Sequence, residues 1–257
     1  MHFAFLGTSG AVPSLRRDNT SLVFVGGDES VLVDCGGSPI QKLLLAAVNP
    51  RSLTRVVITH LHVDHSYGLP SLIRGLGLMG RSAPLRINCR EEHAEPLRHL
   101  LRIFRILDRP DQFPLVFEPV PATPRVALGR TGPFTITASP NAHGAMPNLA
   151  LRFDAAAAPS VVYSSDTEPC EAVVELARGA HTLIHEATFA EGDRDRHGVH
   201  STARQAGEIA ARAGVRRLIL AHIDPAHHDA TAALADEAQQ GFDGEVEIAE
   251  EFIPYPL

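Results

Sequence analysis

The segment Thr59-His60-Leu61-His62-Val63-Asp64-His65 packs three imidazoles and a carboxylate into seven residues, directly after the apolar run Arg55-Val56-Val57-Ile58. Neutral imidazole and ionised carboxylate are ligands for divalent metal ions. If the chain stays extended from Ile58 to His62, side chains repeat with a period of two, so His60 and His62 point to one side and can grip one ion together. Asp64 and His65 then require a chain reversal. The stretch Ser66-Tyr67-Gly68-Leu69-Pro70 permits it by opening a new element, and the reversal aims both side chains at a second, adjacent ion. The alternative is a polar cluster on a surface loop, and the β-branched apolar strand that the cluster ends argues against it.

Other residues suited to the same chemistry also close strand-like runs. His143 lies in Ser139-Pro140-Asn141-Ala142-His143-Gly144, where Pro and Gly loosen the backbone and a side chain can be presented into a cleft. Asp166 follows Val161-Val162-Tyr163-Ser164-Ser165, and a carboxylate with two oxygens can bridge two ions as an imidazole cannot. His222 ends Arg217-Leu218-Ile219-Leu220-Ala221. Taken singly each is an ordinary loop or core residue; taken together they complete two ligand shells. A further pair is not needed as ligands. His200, in His200-Ser201-Thr202, can serve as a general acid, and Glu186, in His185-Glu186-Ala187-Thr188-Phe189, can hold that imidazole protonated and oriented. The competing role for His200 is to help cap the helix that follows.

Strand-like runs cover Phe3 to Leu6, Leu22 to Val25, Val31 to Asp34, Val56 to Thr59, Leu85 to Asn88, Phe134 to Ala138, Leu149 to Phe153, Val161 to Tyr163, Thr182 to His185 and Leu218 to His222. Helical periodicity is clearest at Gln41 to Val48, Leu69 to Leu76, Cys170 to Arg178, Thr202 to Ala213, with Ser201 as its N-cap, and Ala230 to Gln240. This alternation predicts sheets covered by helices. Arg55 to His60 and Arg217 to His222 echo one another as strands that deliver a terminal histidine, and two such ends can face one groove. The Pro- and Gly-rich passages Pro119 to Pro124 and Gly129 to Pro133 are too short for interdomain tethers and read as connections.

With 257 residues and an apolar fraction of 44%, the chain can bury a substantial core. The N-terminus lacks a basic start and a long apolar stretch, so no signal peptide or membrane span is expected and the cytoplasm is the default. Cys35, Cys89 and Cys170 are odd in number and widely spaced, against both a disulfide framework and a thiolate zinc site. A formal charge of −7 opposes bulk coating of nucleic acid. A local basic face remains open, because Arg98, Arg102, Arg105 and Arg109 recur along the helix-like stretch from Glu92 to Leu107; it reads either as a solvated face or as a contact for RNA phosphate or a second copy.

These motifs together resemble the metallo-β-lactamase superfamily and, within it, the ribonuclease Z-like branch. The resemblance runs nearly end to end: Leu6-Gly7-Thr8-Ser9-Gly10-Ala11-Val12-Pro13, Leu32-Val33-Asp34-Cys35-Gly36, the His-x-His-x-Asp-His run with Gly68-Leu69-Pro70 after it, Tyr163-Ser164-Ser165-Asp166-Thr167, His185 to Phe189, His200 to Thr202, and His222. It implies an α+β fold, a four-layer αβ/βα sandwich, as one domain over residues 1–257, with a dinuclear zinc groove along one edge of the paired sheets. It also implies a homodimer. Carried over position by position, His60, His62, His143 and Asp166 bind one ion and Asp64, His65, Asp166 and His222 the other. Asp34 supports them, His200 donates a proton and Glu186 partners it. Such ligands also accept Mn2+ or Fe2+. Two departures stand out. The branch usually carries a long Gly- and basic-rich arm between the His143-type and Asp166-type motifs to clamp the tRNA elbow, and only Gly144 to Ser165 separate them here. The ending Ala221-His222-Ile223-Asp224-Pro225, followed by His227, His228 and Asp229, is similar to arm-less relatives, with His227 and His228 expected to be exposed at a helix start.

The expected activity is phosphodiester hydrolysis, on RNA 3′ ends or small phosphodiesters, by a metal-bridging water whose pKa falls toward about 7, with Asp64 orienting or deprotonating it. Two alternatives use the same residues: hydrolysis of a lactone, thioester or sulfate ester, or a metal-loaded RNA-associated binding protein with little turnover.

Overall fold

Apolar residues fill successive strand positions instead of alternate ones: Phe3, Ala4, Phe5 and Leu6 are all buried, as are Leu22, Val23 and Phe24. Strands of this kind are covered on both faces. A computed structural model, which describes residues 1–196 and 198–257 with the side chains of 194–196 excepted, shows how. Strands β1 (His2–Gly7), β2 (Ser21–Gly26), β3 (Glu29–Val33), β4 (Leu53–Val57), β5 (Leu85–Arg90) and β6 (Leu115–Val120) follow one another across a first sheet. Strands β7 (Val126–Thr131), β8 (Phe134–Pro140), β9 (Leu149–Ala155), β10 (Ala158–Tyr163), β11 (Thr182–Glu186), β12 (Arg217–Ala221) and β13 (Glu245–Ile248) make a second, and β14 (Tyr255–Pro256) returns to pair with β1. Each sheet opens antiparallel and turns parallel, from β3 to β6 in the first and from β10 to β13 in the second.

Between the sheets, Phe3, Phe5, Phe24, Val31 and Val57 meet Phe134, Leu151, Phe153, Tyr163 and Ile184. Phe24 and Phe153 stack across the interface with centroids 3.7 Å apart, so truncating either to Ala should cost about 3–5 kcal/mol. Helices α1 (Pro39–Leu45), α2 (Val63–Ser66), α3 (Leu69–Leu78) and α4 (Glu91–Ile103) lie with the first sheet, which buries Leu43, Leu72, Ile73 and Leu97 against its outer face. Helices α5 (Glu171–Ala177), α6 (Ala203–Ala213) and α7 (Thr231–Gln239) bury Val174, Ile209, Ala210 and Leu234 against the second. The result is the α+β four-layer sandwich expected from the motifs.

The expected strands and helices all form, with ends displaced by a few residues. Strands β6, β7, β13 and β14 are additional, and two of them occupy passages expected to be connections. Pro119 fits in β6 because β6 is an edge strand, where a missing N–H breaks no ladder; Gly129 forms a bulge in β7 at φ 89°. Helix α6 is capped by Thr202 and not by Ser201: the Thr202 hydroxyl accepts from Gln205 N, the Gln205 side chain accepts from Thr202 N, and Ser201 Oγ donates to Thr167 O at 2.6 Å. The arginine stripe is also broken. Helix α4 stops at Ile103, so Arg105 and Arg109 lie beyond it; Glu95 takes up Arg102, Arg98 lies over the Phe117 ring, and Arg109 pairs with Asp111. The echo between Arg55 to His60 and Arg217 to His222 is one of strand chemistry only, because β4 is the second strand of its parallel run and β12 the third of its own. Among the described residues, no helix is long and apolar enough to cross a membrane.

Candidate metal centre

Parallel strands send their C-terminal ends to one rim, and in open sheets that rim is where ligands bind. Here the rim carries Asp34 after β3, His60 and His62 after β4, His143 after β8, Asp166 after β10, Glu186 at the end of β11 and His222 after β12. Three of these turns pass through the left-handed region at a residue other than glycine: Asp34 at φ 60°, Ser165 at φ 54° and His222 at φ 57°. Such conformations cost on the order of 1 kcal/mol each and persist where hydrogen bonds over-determine them. Asp64 and His65 sit inside α2, so the reversal comes at Val63, earlier than the Ser66 to Pro70 stretch that was expected to provide it. Gly36 lets β3 approach α2: a Cβ there would lie 2.1 Å from Asp64 O, while Cys35 N donates to His65 O at 2.7 Å.

The donor atoms gather into two sets. His60 Nε2 and His143 Nε2 each lie 3.0 Å from His62 Nδ1. His65 Nε2 lies 3.3 Å and His222 Nε2 3.6 Å from Asp64 Oδ2. One oxygen, Asp166 Oδ2, stands between the sets, 3.7 Å from His60 Nε2, 3.9 Å from His143 Nε2, 3.4 Å from His65 Nε2 and 3.2 Å from His222 Nε2. The carboxylate therefore faces both sets through a single oxygen, where its two oxygens were expected to share the task; Oδ1 is buried without a hydrogen bond. Asn141 and Asn148 fix the residue by donating to its backbone carbonyl at 3.0 and 2.7 Å.

Four of these rings have their other nitrogen committed, which settles where their lone pairs point. His65 Nδ1 donates to Asp34 Oδ2 at 2.8 Å, and His143 Nδ1 to the Val199 carbonyl at 3.0 Å. His60 Nδ1 lies 3.1 Å from Thr59 Oγ1, whose own proton goes to Asp34. His222 Nδ1 lies 2.9 Å from Thr188 Oγ1. With Nδ1 carrying hydrogen, the Nε2 atoms of His60, His143 and His222 are lone pairs turned inward, while His65 Nε2 faces Asp64 and Asp166. Burial pushes the His65 imidazole down, but Asp166 and Asp34 more than reverse this, so a metal there would displace a proton. In the first set, at most one of the two contacts to His62 Nδ1 can carry a proton.

That convergence is the arrangement a cation resolves. Within the second set His65 Nε2 and His222 Nε2 are buried with no hydrogen-bond partner. Asp64 and Asp166 are buried too, and among the described residues their ion-pair partners are imidazoles alone. A buried carboxylate without a permanent cation is costly, so the donor set fits divalent metal on both chemistry and charge.

His200 adjoins the two donor sets, a ligand atom of it lying within 4.8 Å of those of Asp166 and His222, but its Nδ1 is committed elsewhere. Its Nδ1 donates to Glu186 Oε1 at 2.8 Å, and its side chain is 20% exposed where Glu186 is 1% exposed. Glu186 also accepts from Thr167 N, Thr188 N, Thr188 Oγ1 and Ser201 N. Burial pushes the His200 imidazole down, but Glu186 more than reverses this and lifts it to about 9. Burial likewise pushes the Glu186 carboxyl up, and His200 holds it below its ordinary range. The pair is an imidazolium on a carboxylate. His200, but not the buried Glu186, lines a groove of about 420 Å³ together with His62, Asp64, Asp166, His222, Gly10, Ala11 and Val12.

The profile of the Beta-lactamase superfamily domain matches residues 29–223. The ribonuclease Z of Methanothermobacter thermautotrophicus is 32% identical, over 94% of this chain and 92% of its own. That of Archaeoglobus fulgidus is 31% identical, over 97% and 95%. This chain belongs to the ribonuclease Z family of the beta-lactamase superfamily. Among solved structures, the metallo-beta-lactamase fold protein YhfI of Bacillus subtilis has a TM-score of 0.81 at 27% identity, covering 99% of this chain and 98% of that one. Human tRNase Z, short form, also has a TM-score of 0.81, at 24% identity with both chains fully covered, and shares the fold.

Within this ribonuclease Z family the chain is short. Its alignment with the Methanothermobacter relative runs over 292 positions, more than the 257 residues present, so that relative carries segments with no counterpart here. Between His143 and Asp166 the chain makes only the hairpin of β9 and β10 with a turn at Ala156 and Ala157. His227 and His228 are half-buried in and after a 3-10 turn, Pro225–His227, where exposure had been expected. His227 Nε2 lies 2.6 Å from Asp193 Oδ2, and His228 donates to the Ile223 carbonyl at 2.9 Å; neither joins the donor sets. The sequence reading passed over Thr59, Thr188 and the Val199 carbonyl. The first two each neighbour a ligand or its partner in a motif, a usable signal, whereas a carbonyl leaves none.

Proposed function

We propose that this ribonuclease Z family member hydrolyses phosphodiester bonds at RNA 3′ ends through the residues of the rim, acting as one domain over residues 1–257. The family is one of metal-dependent phosphodiesterases, and the tRNase Z name of a structural neighbour supports an RNA substrate. The observation that carries the reading is the convergence of two donor sets on Asp166 Oδ2 in a groove that His200, held by the buried Glu186, also lines. These relatives favour phosphodiesters over lactones, thioesters or sulfate esters, and over a binding role without turnover.

His60, His62, His143 and Asp166 would hold one ion; Asp64, His65, Asp166 and His222 would hold the other. Divalent ions bound there would supply a water acidic enough to ionise near neutrality and would neutralise phosphate charge. Asp64 presents Oδ2 to His65 and His222, and its Oδ1, with no hydrogen bond among the described residues, would orient the attacking water or take its proton. His200, charged through Glu186, gives the proton that the departing ribose oxygen needs. Asp34 and Glu186 keep the rings aimed.

The test is cleavage of an unprocessed tRNA beside bis(p-nitrophenyl) phosphate by one metal-replete sample. Turnover of the tRNA is expected. Cleavage of the small diester alone would move the substrate from RNA to small phosphodiesters, the reading that the short β9–β10 hairpin favours, and failure on both would remove the proposal. Zinc is the expected metal on ligand type, with Mn2+ or Fe2+ as substitutes, and elemental analysis decides. A homodimer is proposed because Tyr67 and Phe104 are exposed and line, with Pro70 and Ile106, a pocket of about 380 Å³, bordered by Ser71, Arg74 and Arg109, that a second copy would cover. Light scattering giving a monomer would refute it. Three free cysteines favour a reducing compartment, the cytoplasm, which cell fractionation checks.

A further inference from the structure

Thr188 belongs to a motif whose glutamate the proposed mechanism uses and whose threonine it does not. Its hydroxyl is buried and makes three close contacts, Glu186 Oε2 at 2.7 Å, the His222 carbonyl at 3.0 Å and His222 Nδ1 at 2.9 Å, and a longer one at 3.4 Å to His200 Nδ1, whose own proton goes to Glu186. A hydroxyl has one proton. The first two partners are pure acceptors, so the proton goes to one of them, and toward His222 the oxygen can only accept. His222 must then carry its hydrogen on Nδ1, which leaves Nε2 as a lone pair 3.2 Å from Asp166 Oδ2. The same carboxylate whose Oε2 takes the Thr188 proton holds His200 through Oε1.

We infer that Thr188 is a positioning residue for the second ion. Its hydroxyl fixes the tautomer and the aim of His222 and ties that ligand to the carboxylate that orients the proton donor. An outer partner of this kind is worth about 10–100-fold in metal affinity. The inference rests on the two-ion reading of the site.

Zinc titration of the metal-free full-length chain tests it. Wild type should take up two ions. Thr188→Val, which keeps the shape and removes the hydroxyl, should bind the second ion roughly 10–100-fold more weakly and leave the first within about threefold. Thr188→Ser should restore the second affinity. Ring-nitrogen NMR of metal-free protein with His222 neutral should show it hydrogenated at Nδ1 in wild type and Thr188→Ser, and a mixture of tautomers in Thr188→Val. Thr188→Ala reads the same way should the valine variant fail to fold. The inference is overturned if Thr188→Val binds both ions as wild type does with the His222 tautomer unchanged, or if Thr188→Ser loses as much as Thr188→Val. Fewer than two ions in wild type would instead overturn the two-ion site, and this inference with it.

Discussion

Asp34 and Glu186 sit at strand ends in different sheets and do the same thing twice over. Each buried carboxylate holds one imidazole directly, Asp34 to His65 at 2.8 Å and Glu186 to His200 at 2.8 Å. Each holds a second through a threonine hydroxyl, His60 by way of Thr59 and His222 by way of Thr188. The outcomes differ. Burial dominates at Asp34 and leaves its carboxyl raised, whereas at Glu186 the His200 charge outweighs burial and holds the carboxyl low. His65 is fully enclosed and turns Nε2 toward Asp64 and Asp166; His200 is partly open to the groove. One hydrogen-bond pattern thus serves two rings that neighbouring carboxylates raise alike. His65, enclosed and facing Asp64 and Asp166, is the proposed metal ligand, and His200, open to the groove, the proposed proton donor, so exposure is what separates them.

The largest break in this comparison is at the oxygen common to both sides. Asp166→Ala should remove tight binding at both ions and lower turnover by roughly three orders of magnitude or more, since several kcal/mol of transition-state stabilisation goes with them. Elemental analysis is the check, and two tightly held ions in that variant would contradict the shared-ligand assignment. Next comes the proton donor. His200→Ala should slow RNA or alkyl diester cleavage by about 10²–10⁴-fold while sparing a nitrophenyl diester, whose leaving group needs no proton. Equal losses on the two substrates would remove His200 from the acid role.

Exchanging the carboxylates for amides separates the two sides. Asp34→Asn should weaken metal binding by about 10–100-fold through His60 and His65, with His200 unaffected. Glu186→Gln should act on His200 instead. In the metal-free wild type, His200 should titrate near 9 by ring NMR; in Glu186→Gln it should fall toward or below the ordinary value, because burial, the largest influence, then faces only the smaller lift from Asp166. The sign follows from linkage: a raised histidine contributes stability fully present below its unfolded pKa of about 6.5 and lost as pH rises through about 9. The metal-free protein should therefore melt earlier across that window, and Glu186→Gln should flatten the dependence. An unchanged His200 titration in Glu186→Gln would break the ion-pair account.

Much of the rim was legible in advance because candidate ligands advertise themselves by residue type and by ending apolar strands: His60, His62, His143, Asp166 and His222 all do, and the fold brings them together. Four things were not. The start of α2 at Val63 depends on packing against Gly36, a contact far away in sequence. The edge strands β6 and β7 carry Pro119 and Gly129, which oppose strand structure locally and are tolerated only at a sheet margin. Thr202 wins the α6 cap because Ser201 is turned inward to the Thr167 carbonyl. The breaking of the arginine stripe required knowing where α4 ends.

The smallest expected effect tests whether the two threonines are equivalent. Thr59 Oγ1 gives its proton to Asp34 and accepts from both His60 Nδ1 and Ser165 Oγ; its removal leaves His60 Nδ1 without a partner, whereas Ser165 Oγ keeps Asn148 Oδ1 at 3.2 Å. Asp34 keeps the Thr59 backbone N–H at 2.8 Å and His65 at 2.8 Å, so the carboxylate stays in place and His65 keeps its aim. Only His60 is freed, and it is one of the four ligands proposed for the first ion. Thr59→Val should therefore weaken that ion by about tenfold, the low end of the outer-partner range, and leave the second unchanged, the mirror image of Thr188→Val. Zinc titrations of both variants read the contrast directly. If both lose the same ion, the hydroxyls act through the common Asp166 bridge and the division into two sides fails.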